Sequence, residues 1–430
     1  MKKVRHITVW ILLLVLVFAC KEAKKENKKM QIQSTLSAKD ILGNPDYLAM
    51  SYGGYRTKSR DSQPSIQQLK NDMKLLSAMG VKMIRTYNVQ PHLPHAKNVL
   101  KAISELKKED KNFEMYVMLG AWIDCLNAWT DQAPNHDVES TNNEGEIERA
   151  VALANQYPEI VKIIAVGNEA MVKWATSYYV QPNVILKWVN HLQNLKVEGK
   201  LPKDLWITSS DNFASWGGGD SLYHVEDLNN LIKAVDYISV HTYPYHDTHY
   251  NPEFWGIPEN EENLPKRKKI DLAIMRSVAY AKNQYDSVVN YMKHLGVNKP
   301  VHIGETGWAS ASKGLYGADG SKASDEYKQA VYYNLIRDWT NSKNISCFYF
   351  EAFNEKWKDA DHPNGSENHF GLFTIDGKAK YPIWSLVDNG NFNGLTRNDN
   401  QITKTFNGDF ETLLETVNVP PTKNEIMAHR

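Results

Sequence analysis

Short apolar runs alternate with longer segments of helical period along most of this 430-residue chain. Eight of the runs are typical of buried β-strands, and they cover residues 47–52, 82–87, 114–119, 161–166, 205–209, 237–242, 300–304 and 347–353. Strands that are apolar on both faces are expected inside a barrel wrapped by helices. Eight strand–helix units therefore predict an α/β fold, the (β/α)8 TIM barrel, with its active site at the C-terminal ends of the strands.

The segments between the runs carry helix signals. Ser65 and Gln68 form a capping box, in which each side chain satisfies a free backbone donor of the other. Gly80 can end that helix in the left-handed conformation. A second amphipathic helix is predicted from Ser324 onward. The long connection 246–269 is rich in Asn, Pro and Glu, and it is expected to cover the barrel mouth.

The N-terminus is typical of an exported protein, because basic residues precede an apolar run, 10–19, that is too short to span a bilayer. Residues 17–20 resemble a bacterial lipobox with Cys20 as the lipidated residue, and a plain secretory signal is the alternative. The expected organisation is a lipoprotein signal peptide over 1–20, a flexible tether over 21–44, a catalytic barrel over 45–388 and a C-terminal extension over 389–430. Such a protein would be anchored in a bacterial cell envelope, facing the periplasm or exposed at the surface.

Charge and cysteine content narrow the range of partners. Fifty Lys and Arg residues balance fifty Asp and Glu residues, so no net field attracts nucleic acid or another polyanion. A neutral ligand is expected instead. Besides Cys20 the chain has Cys125 and Cys347, which fall in or beside the third and the eighth predicted strands. Those strands are not neighbours in a barrel, so no disulfide is expected.

Two glutamates follow predicted strands at what would be the same rim of the barrel. Glu169 comes after the fourth strand and Glu305 after the seventh. Two carboxyl groups about 5 Å apart can cleave a glycosidic bond with retention of configuration. We predict Glu169 as the general acid/base, because a neighbouring carboxylate raises its pKa, and Glu305 as the nucleophile.

Further polar residues fall at the same strand ends. Asn168 is predicted to donate to a sugar 2-hydroxyl, and Tyr243 to orient Glu305. Arg85 is predicted to lower the pKa of the nucleophile, because a charged side chain inside a barrel is seldom there for packing.

The end of the eighth strand holds two more carboxylates. Glu355 is predicted to form an ion pair with Lys358 and to bind sugar hydroxyls, whereas Glu351 fits structural hydrogen bonding and substrate contact equally well. Several tryptophans follow strand ends and are candidates to stack on glucose rings: Trp122, Trp129, Trp174, Trp216 and Trp308. Trp308 is the preferred candidate for the floor of the site, with Trp122 and Trp216 as further substrate-binding residues.

Histidines offer one competing interpretation. His241, His246 and His249 could form a metal site, since imidazoles are common zinc ligands. Their spacing is irregular and two of them fall in a predicted loop, so we predict neither a metal site nor a cofactor. His241 is expected to line the cleft as a neutral hydrogen-bonding residue.

Taken together, these motifs resemble glycoside hydrolase family 17. The resemblance is carried by residues 84–87, 166–169, 243–245, 304–310 and 353–358 with 369–373, and it spans roughly residues 45–385. The family comprises β-1,3-glucanases and glucanosyltransferases, which are (β/α)8 barrels of clan A. It implies retention, Glu169 as acid/base, Glu305 as nucleophile, and auxiliary roles for Glu355 and Lys358. The connection 246–269 departs from the family pattern and leaves endo or exo action open.

The expected function is that of a retaining glycoside hydrolase that cleaves β-1,3-glucosidic linkages in β-glucan such as laminarin and acts as a monomer. One alternative is a β-1,3-glucanosyltransferase, in which a sugar hydroxyl replaces water as the acceptor. Another is a non-catalytic glycan-binding lipoprotein, but a binder has no need of two carboxylates held close together.

Overall fold

The computed structural model describes residues 36–428. Eight parallel strands, each paired with the next along the chain, close into a barrel through pairing of the last strand with the first. They are β1 (Leu48–Ser51), β2 (Val81–Arg85), β3 (Tyr116–Ala121), β4 (Val161–Asn168), β5 (Trp206–Asn212), β6 (Ile238–His241), β7 (Val301–Gly307) and β8 (Cys347–Phe350). The predicted (β/α)8 barrel is confirmed.

Helices surround the barrel and bury their apolar faces against it. They are α1 (Ile66–Ala78), α2 (His95–Glu109), α3 (Asn143–Gln156), α4 (Pro182–Val197), α5 (Glu226–Ala234), α6 (Lys266–His294), α7 (Glu326–Ser342) and α8 (Trp384–Asp388). Shorter helical segments are Ala38–Ile41, Ala214–Gly218, Ser221–Tyr223, Pro244–Tyr250, Pro252–Phe254, Glu259–Glu261, Ser366–His369, Tyr381–Ile383, Thr405–Gly408, Phe410–Glu415 and Lys423–Ala428. The residues of the barrel strands are almost all buried, as expected for strands that lie between a filled interior and a ring of helices.

The predicted helix caps form with one adjustment. Ser65 and Gln68 exchange hydrogen bonds of 2.9 and 3.2 Å at the start of α1, so the capping box is present. At α7 the cap is Asp325, whose carboxylate accepts the Lys328 N–H at 2.8 Å. Ser324 does not cap the helix because its hydroxyl is hydrogen-bonded to the Tyr245 hydroxyl at 2.7 Å.

The connection between β6 and α6 forms part of the wall above the barrel. It begins with the helical segment Pro244–Tyr250 and reaches the C-terminal segment, where Ile257 forms a parallel bridge with Thr422. A second contact holds the C-terminal segment against α1. Arg397 is fully buried, and its guanidinium is hydrogen-bonded to the Asp72 carboxylate of α1. The C-terminal residues therefore pack on the barrel.

Two short hairpins complete the secondary structure, Cys125–Leu126 with Asn135–Glu139 and Thr396–Arg397 with Asn400–Gln401. Cys125 and Cys347 are free, buried thiols. Within residues 36–428 no helix has the length and apolar character needed to cross a bilayer. The predicted signal peptide, the lipidation site at Cys20 and most of the tether lie outside the described residues.

Candidate active site

A cleft of about 830 Å³ opens at the C-terminal ends of the strands, and Glu169 and Glu305 both lie in its wall. Aromatic and polar side chains alternate around it. The other lining residues are Trp174, Asn212, Phe213, Tyr243, His246, Asp247, Tyr250, Asn251, Gln284, Leu315, Tyr316, Phe350, Glu367 and Phe370. A concave surface with aromatic walls and a few convergent polar groups is typical of a ligand site.

Three donors hold the carboxylate of Glu305. The Arg85 guanidinium donates to Oε2 at 2.6 Å, the Tyr87 hydroxyl donates to Oε2 at 3.1 Å, and the Tyr243 hydroxyl donates to Oε1 at 2.6 Å. Burial favours the neutral form, but the charge of Arg85 and the hydrogen bond from the Tyr243 hydroxyl hold the pKa of Glu305 below its ordinary value. An ionised carboxylate that is fixed in this way is suited to nucleophilic attack.

Glu169 follows β4 and has a left-handed backbone conformation, with φ of +46°. Its N–H donates to the Ser210 carbonyl of β5 at 3.0 Å, which fixes the turn against the neighbouring strand. Burial, and next the negative charge of Glu305, raise the pKa of Glu169 to about 8. Glu169 therefore keeps its proton at neutral pH while Glu305 is ionised, which is the division that an acid and a nucleophile require.

His241 connects the two carboxyl groups. Its Nε2 lies 3.2 Å from Arg85 Nη1 and 2.8 Å from Ser210 Oγ, and its Nδ1 lies 3.1 Å from Glu169 Oε1. A guanidinium can only donate, so Nε2 accepts and Nδ1 carries the ring proton. Burial lowers the pKa of His241 to about 4, so the ring is neutral at pH 7. Nδ1–H donates to Oε1 of Glu169, which leaves Oε2 to carry the acidic proton.

Asn168 and Gly304 complete this arrangement. The Asn168 side-chain oxygen accepts a hydrogen bond from Arg85, so its amide NH₂ remains the donor for a ligand hydroxyl. A Cβ at Gly304 would lie 2.1 Å from Ser239 Oγ and 2.5 Å from Ser210 Oγ. Any side chain at this position would therefore displace Ser210 from His241.

The predicted ion pair after β8 forms, but it lies deeper than expected. Lys358 Nζ is 3.4 Å from Glu351 and 3.7 Å from Glu355. Glu355 is only 1% exposed and accepts the Tyr55 N–H at 2.7 Å. It points inward and does not line the cleft, which corrects the prediction that it binds sugar hydroxyls. Burial disfavours the charge of Lys358, but Glu351, Glu355 and Glu305 hold the pKa of Lys358 above its ordinary value.

Trp308 and Trp216 belong to the core, which corrects their assignment as substrate-binding residues. Both are fully buried, and their indole N–H groups donate to the carbonyls of Ala323 at 2.8 Å and of Ser239 at 3.0 Å. The Trp308 ring packs against Tyr332 of α7, with ring centroids 5.0 Å apart. Both indoles turn away from the cleft into the packing between strands and helices, so neither can contact a ligand there.

Trp122 takes part in an aromatic ledge, which consists of Trp122, Trp129 and Tyr178. Tyr178 stacks on Trp129 with centroids 5.1 Å apart and contacts Trp122 at 5.2 Å. Burial and then the negative charge of Glu169 raise the pKa of Tyr178, so the ledge lies within electrostatic range of Glu169. Trp129 is 62% exposed, as is Trp174 in the cleft wall. Sugar binding by Trp122 stays a prediction.

Two of the three histidines of the alternative metal site bond to different groups. His241 bonds to Glu169, whereas His246 Nδ1 lies 3.1 Å from the Tyr316 hydroxyl. In the part of the chain that the structure describes, no group of three or more His, Cys, Asp or Glu residues is arranged to hold a metal ion.

Several residues of the site were not among the sequence predictions. Tyr87 carried a usable signal, since it follows Arg85 by two positions at a strand end. Glu367 lies in the short helical segment Ser366–His369 and Tyr316 in a turn, and both are too short for periodicity to mark a side chain that faces the cleft.

Comparison with known proteins identifies relatives of this chain. A family model described as the BtgE/BtgC glycoside hydrolase domain matches residues 49–371. The crystal structure of an endo-laminarinase from Formosa Hel1_33_131 is 68% identical, covers 90% of this chain and 98% of its own, and superposes with a TM-score of 0.89.

More distant relatives agree with this match. The acidic isoform GI9 of glucan endo-1,3-beta-glucosidase from Nicotiana tabacum is 24% identical over 78% of this chain and 91% of its own. A Rhizomucor miehei β-1,3-glucanosyltransferase, solved as an active-site mutant with laminaritriose, is 20% identical over 78% of this chain and 96% of its own. Its TM-score of 0.54 reflects a shared fold.

Proposed function

The chain belongs to glycoside hydrolase family 17, and from that premise we propose that it hydrolyses internal β-1,3-glucosidic bonds of laminarin-type glucan. The observation that carries the proposal is a pair of carboxyl groups in one cleft with opposite protonation. Burial and the charge of Glu305 raise the pKa of Glu169 to about 8, whereas the basic groups around Glu305 keep that residue ionised. Removal of either feature would leave the site without its acid or its nucleophile.

In the first step a carboxylate oxygen of Glu305 forms a bond to the anomeric carbon. The bond from that carbon to the bridging oxygen breaks, and the Glu169 proton moves to the departing oxygen. Arg85, Tyr87 and Tyr243 keep the attacking carboxylate in one orientation. The Asn168 amide is available to the 2-hydroxyl, and such a hydrogen bond strengthens as positive charge develops on the sugar ring.

In the second step water replaces the departed sugar. Glu169, now ionised, takes a proton from the water, whose oxygen forms a bond to the anomeric carbon as the bond to Glu305 breaks. Glu305 recovers its electron pair and Glu169 recovers its proton, so the site returns to its starting state. Two displacements at one carbon retain its configuration, and proton NMR of freshly released products would give the β anomer first.

Internal cleavage is supported by exposed aromatic side chains in and near the cleft. Tyr250 and Trp174 line the cleft, and Tyr178 of the aromatic ledge lies within electrostatic range of Glu169. A neutral glucan also suits a chain without net charge. The similarity to an endo-laminarinase at 68% identity supports the same mode of action.

The decisive experiment is a time course of soluble laminarin digestion by the full-length protein. Internal cleavage predicts a rapid fall in polymer length together with a mixture of oligosaccharides, and cellulose should release no reducing ends under the same conditions. Glucose as the only early product would contradict internal cleavage. A lack of reducing ends from laminarin would contradict the proposed function as a whole.

We further propose that the enzyme is a monomeric lipoprotein of a bacterial envelope, anchored through Cys20. The support is the order of basic residues, apolar run and lipobox-like segment at residues 17–20. Globomycin treatment, which blocks lipoprotein signal peptidase, should cause the precursor to accumulate, and Cys20→Ser should release the protein from the membrane fraction. Continued membrane association of Cys20→Ser would contradict the anchor.

A further inference from the structure

Asp211 is a buried carboxylate that the chemical steps do not use. It lies near the end of β5 and is 0% exposed. Three donors satisfy it: the Met171 N–H at 2.7 Å, the Ser215 hydroxyl at 2.6 Å and the Asn212 N–H at 2.7 Å. Within residues 36–428 no Lys, Arg or His forms an ion pair with it. A buried carboxylate without an ion pair is costly, so its local role needs an explanation.

The donors of Asp211 lie on both sides of the β5 strand end. Met171 follows Glu169 by two positions, so the Asp211 carboxylate fixes the chain immediately after the acid. Ser215 belongs to the helical segment Ala214–Gly218 that follows β5. Asp211 therefore ties the turn of Glu169 to the loop beyond the neighbouring strand.

The turn that it holds is intrinsically unfavourable for glutamate. A left-handed backbone conformation is strained for a non-glycine residue, and Glu169 adopts one with φ of +46°. Two backbone bonds also hold the segment, from the Glu169 N–H to the Ser210 carbonyl at 3.0 Å and from the Val180 N–H to the Ala170 carbonyl at 2.7 Å. Asp211 supplies a side-chain acceptor two residues after Glu169, and the Tyr223 hydroxyl accepts the Lys173 N–H at 3.0 Å two residues further on.

We propose that Asp211 is a positioning residue for the general acid, whose carboxylate clamps the left-handed turn that presents Glu169 to the glycosidic oxygen. The inference rests on the proposed role of Glu169 as acid and goes beyond it by assigning a function to a residue that does not touch the substrate.

Charge supports the same assignment. Burial raises the pKa of Asp211 to about 6, which is below that of Glu169, so Asp211 is already ionised in the pH range where Glu169 loses its proton. The negative charge of Asp211 then disfavours ionisation of Glu169. The other titratable groups that act on Glu169 are Glu305, His246, Arg85 and Glu367, and His241 acts on Asp211. Asp211 is therefore one of several charges that influence the pKa of Glu169, and Glu305 is the strongest of them.

The test compares two substrates in Asp211→Ala and Asp211→Asn. Laminarin needs a proton on its leaving oxygen, whereas dinitrophenyl β-laminaribioside does not, because dinitrophenolate leaves without one. For Asp211→Ala we expect kcat/KM on laminarin to fall roughly ten- to a hundredfold, within the usual contribution of a general acid, and on the aryl glycoside by less than about threefold. Asp211→Asn should recover part of the loss, and its alkaline limb of kcat/KM should move to lower pH because a negative charge beside Glu169 is gone.

Asp236→Asn is the matched control. Asp236 also accepts a backbone N–H of β5, that of Ile207 at 2.6 Å, but at the opposite end of the strand. The Asp236→Asn variant should have a lower melting temperature and an unchanged kcat/KM on both laminarin and the aryl glycoside. Equal losses on both substrates in Asp211→Ala, or no loss on either, would overturn the proposal.

Glu169→Ala separates this inference from the proposed function. If its kcat/KM on the aryl glycoside stays near that of the wild type while laminarin cleavage is lost, Glu169 is the acid, and failure in the Asp211 variants then refutes the clamp alone. If Glu169→Ala loses activity equally on both substrates, the assignment of Glu169 as acid fails and the clamp fails with it.

Discussion

At the scale of single residues, the site depends on how Glu305 and Glu169 influence each other. The charge of Glu305 raises the pKa of Glu169, so protonation of the acid depends on ionisation of the nucleophile. The observed pKa values of such a pair belong to both groups together. Activity should therefore have a broad optimum, limited on the acid side by Glu305 and on the alkaline side by Glu169.

Glu305→Gln tests this dependence directly. It should reduce laminarin turnover at least about a thousandfold, because the nucleophile is lost, and leave oligosaccharide binding intact. It should also lower the pKa of Glu169, since a negative charge beside that carboxyl is removed. NMR titration with labelled glutamate measures the pKa, and calorimetry with laminarihexaose measures binding. An unchanged Glu169 pKa would show that burial alone sets its value.

Trp308 and Trp122 should respond in opposite ways to substitution. Trp308→Phe removes a buried indole and its hydrogen bond, so we expect a loss of about 1–3 kcal/mol in the free energy of unfolding and an unchanged KM. Trp122→Ala should raise KM roughly three- to tenfold, the value of one stacked ring, and change stability less. Urea unfolding and laminarin kinetics on both variants decide this. A raised KM in Trp308→Phe would mean that Trp308 contacts the substrate and would contradict its assignment to the core.

Sequence reasoning located the polar side chains of the cleft better than the aromatic ones. Glu169, Glu305, Arg85 and Tyr243 were predictable because a parallel barrel brings its strand ends to one rim. Trp308 also follows a strand end, but the direction of one side chain is decided by its packing partners. The clamp by Asp211 was not predictable either, since its donor at Met171 lies 40 positions away in sequence.

At the scale of elements, the C-terminal hairpin is held by contacts that no local pattern encodes. Arg397 reaches Asp72 across 325 positions, and Arg56 donates to the same carboxylate at 2.9 Å. The strands and the surrounding helices could be predicted from hydrophobic periodicity and from capping residues. The segment after residue 389 did not, because its order comes from this distant ion pair.

Arg397→Met should therefore destabilise the whole barrel. It leaves Asp72 buried with one cation fewer, and we expect a loss on the order of 3 kcal/mol in the free energy of unfolding. Lys200→Met, which removes a cation from a solvent-exposed ion pair with Glu198, should change nothing measurable. Chemical denaturation of both variants is the measurement. Equal stability of the two would mean that the C-terminal hairpin contributes little to the barrel.

At the scale of the whole molecule, buried neutral histidines limit acid stability. Burial lowers the pKa of His95, His241 and His302 to about 4. In the unfolded chain they titrate near 6.5, so between these values the unfolded state binds more protons than the native state. The contribution of these histidines to the free energy of unfolding is fully present above pH 6.5 and is lost as the pH falls toward 4. The raised pKa values of Glu169 and Asp211 act in the opposite direction, destabilising the fold as the pH rises.

His302→Gln isolates one of these contributions away from the cleft. As the pH falls from 7 to 4, the wild type should lose on the order of 3 kcal/mol in the free energy of unfolding through His302, and the variant should not, because glutamine has no proton to take up. The difference in stability between the two proteins should therefore shift by that amount in favour of the variant. His362→Gln is the control, since the side chain of His362 is 79% exposed. Urea unfolding at several pH values measures both. A difference between His302→Gln and wild type that does not vary with pH would contradict the buried neutral state.

The unequal burial of the tryptophans gives the molecule an optical reporter. Trp216, Trp255 and Trp308 are fully buried, whereas Trp129 of the aromatic ledge and Trp174 of the cleft wall are 62% exposed. A quencher such as acrylamide should therefore reduce the fluorescence of these two exposed indoles more strongly than that of the three buried ones. An oligosaccharide lying over these indoles should shield them and shift their emission to shorter wavelength, so occupancy could be followed by light alone in a variant that cannot turn over.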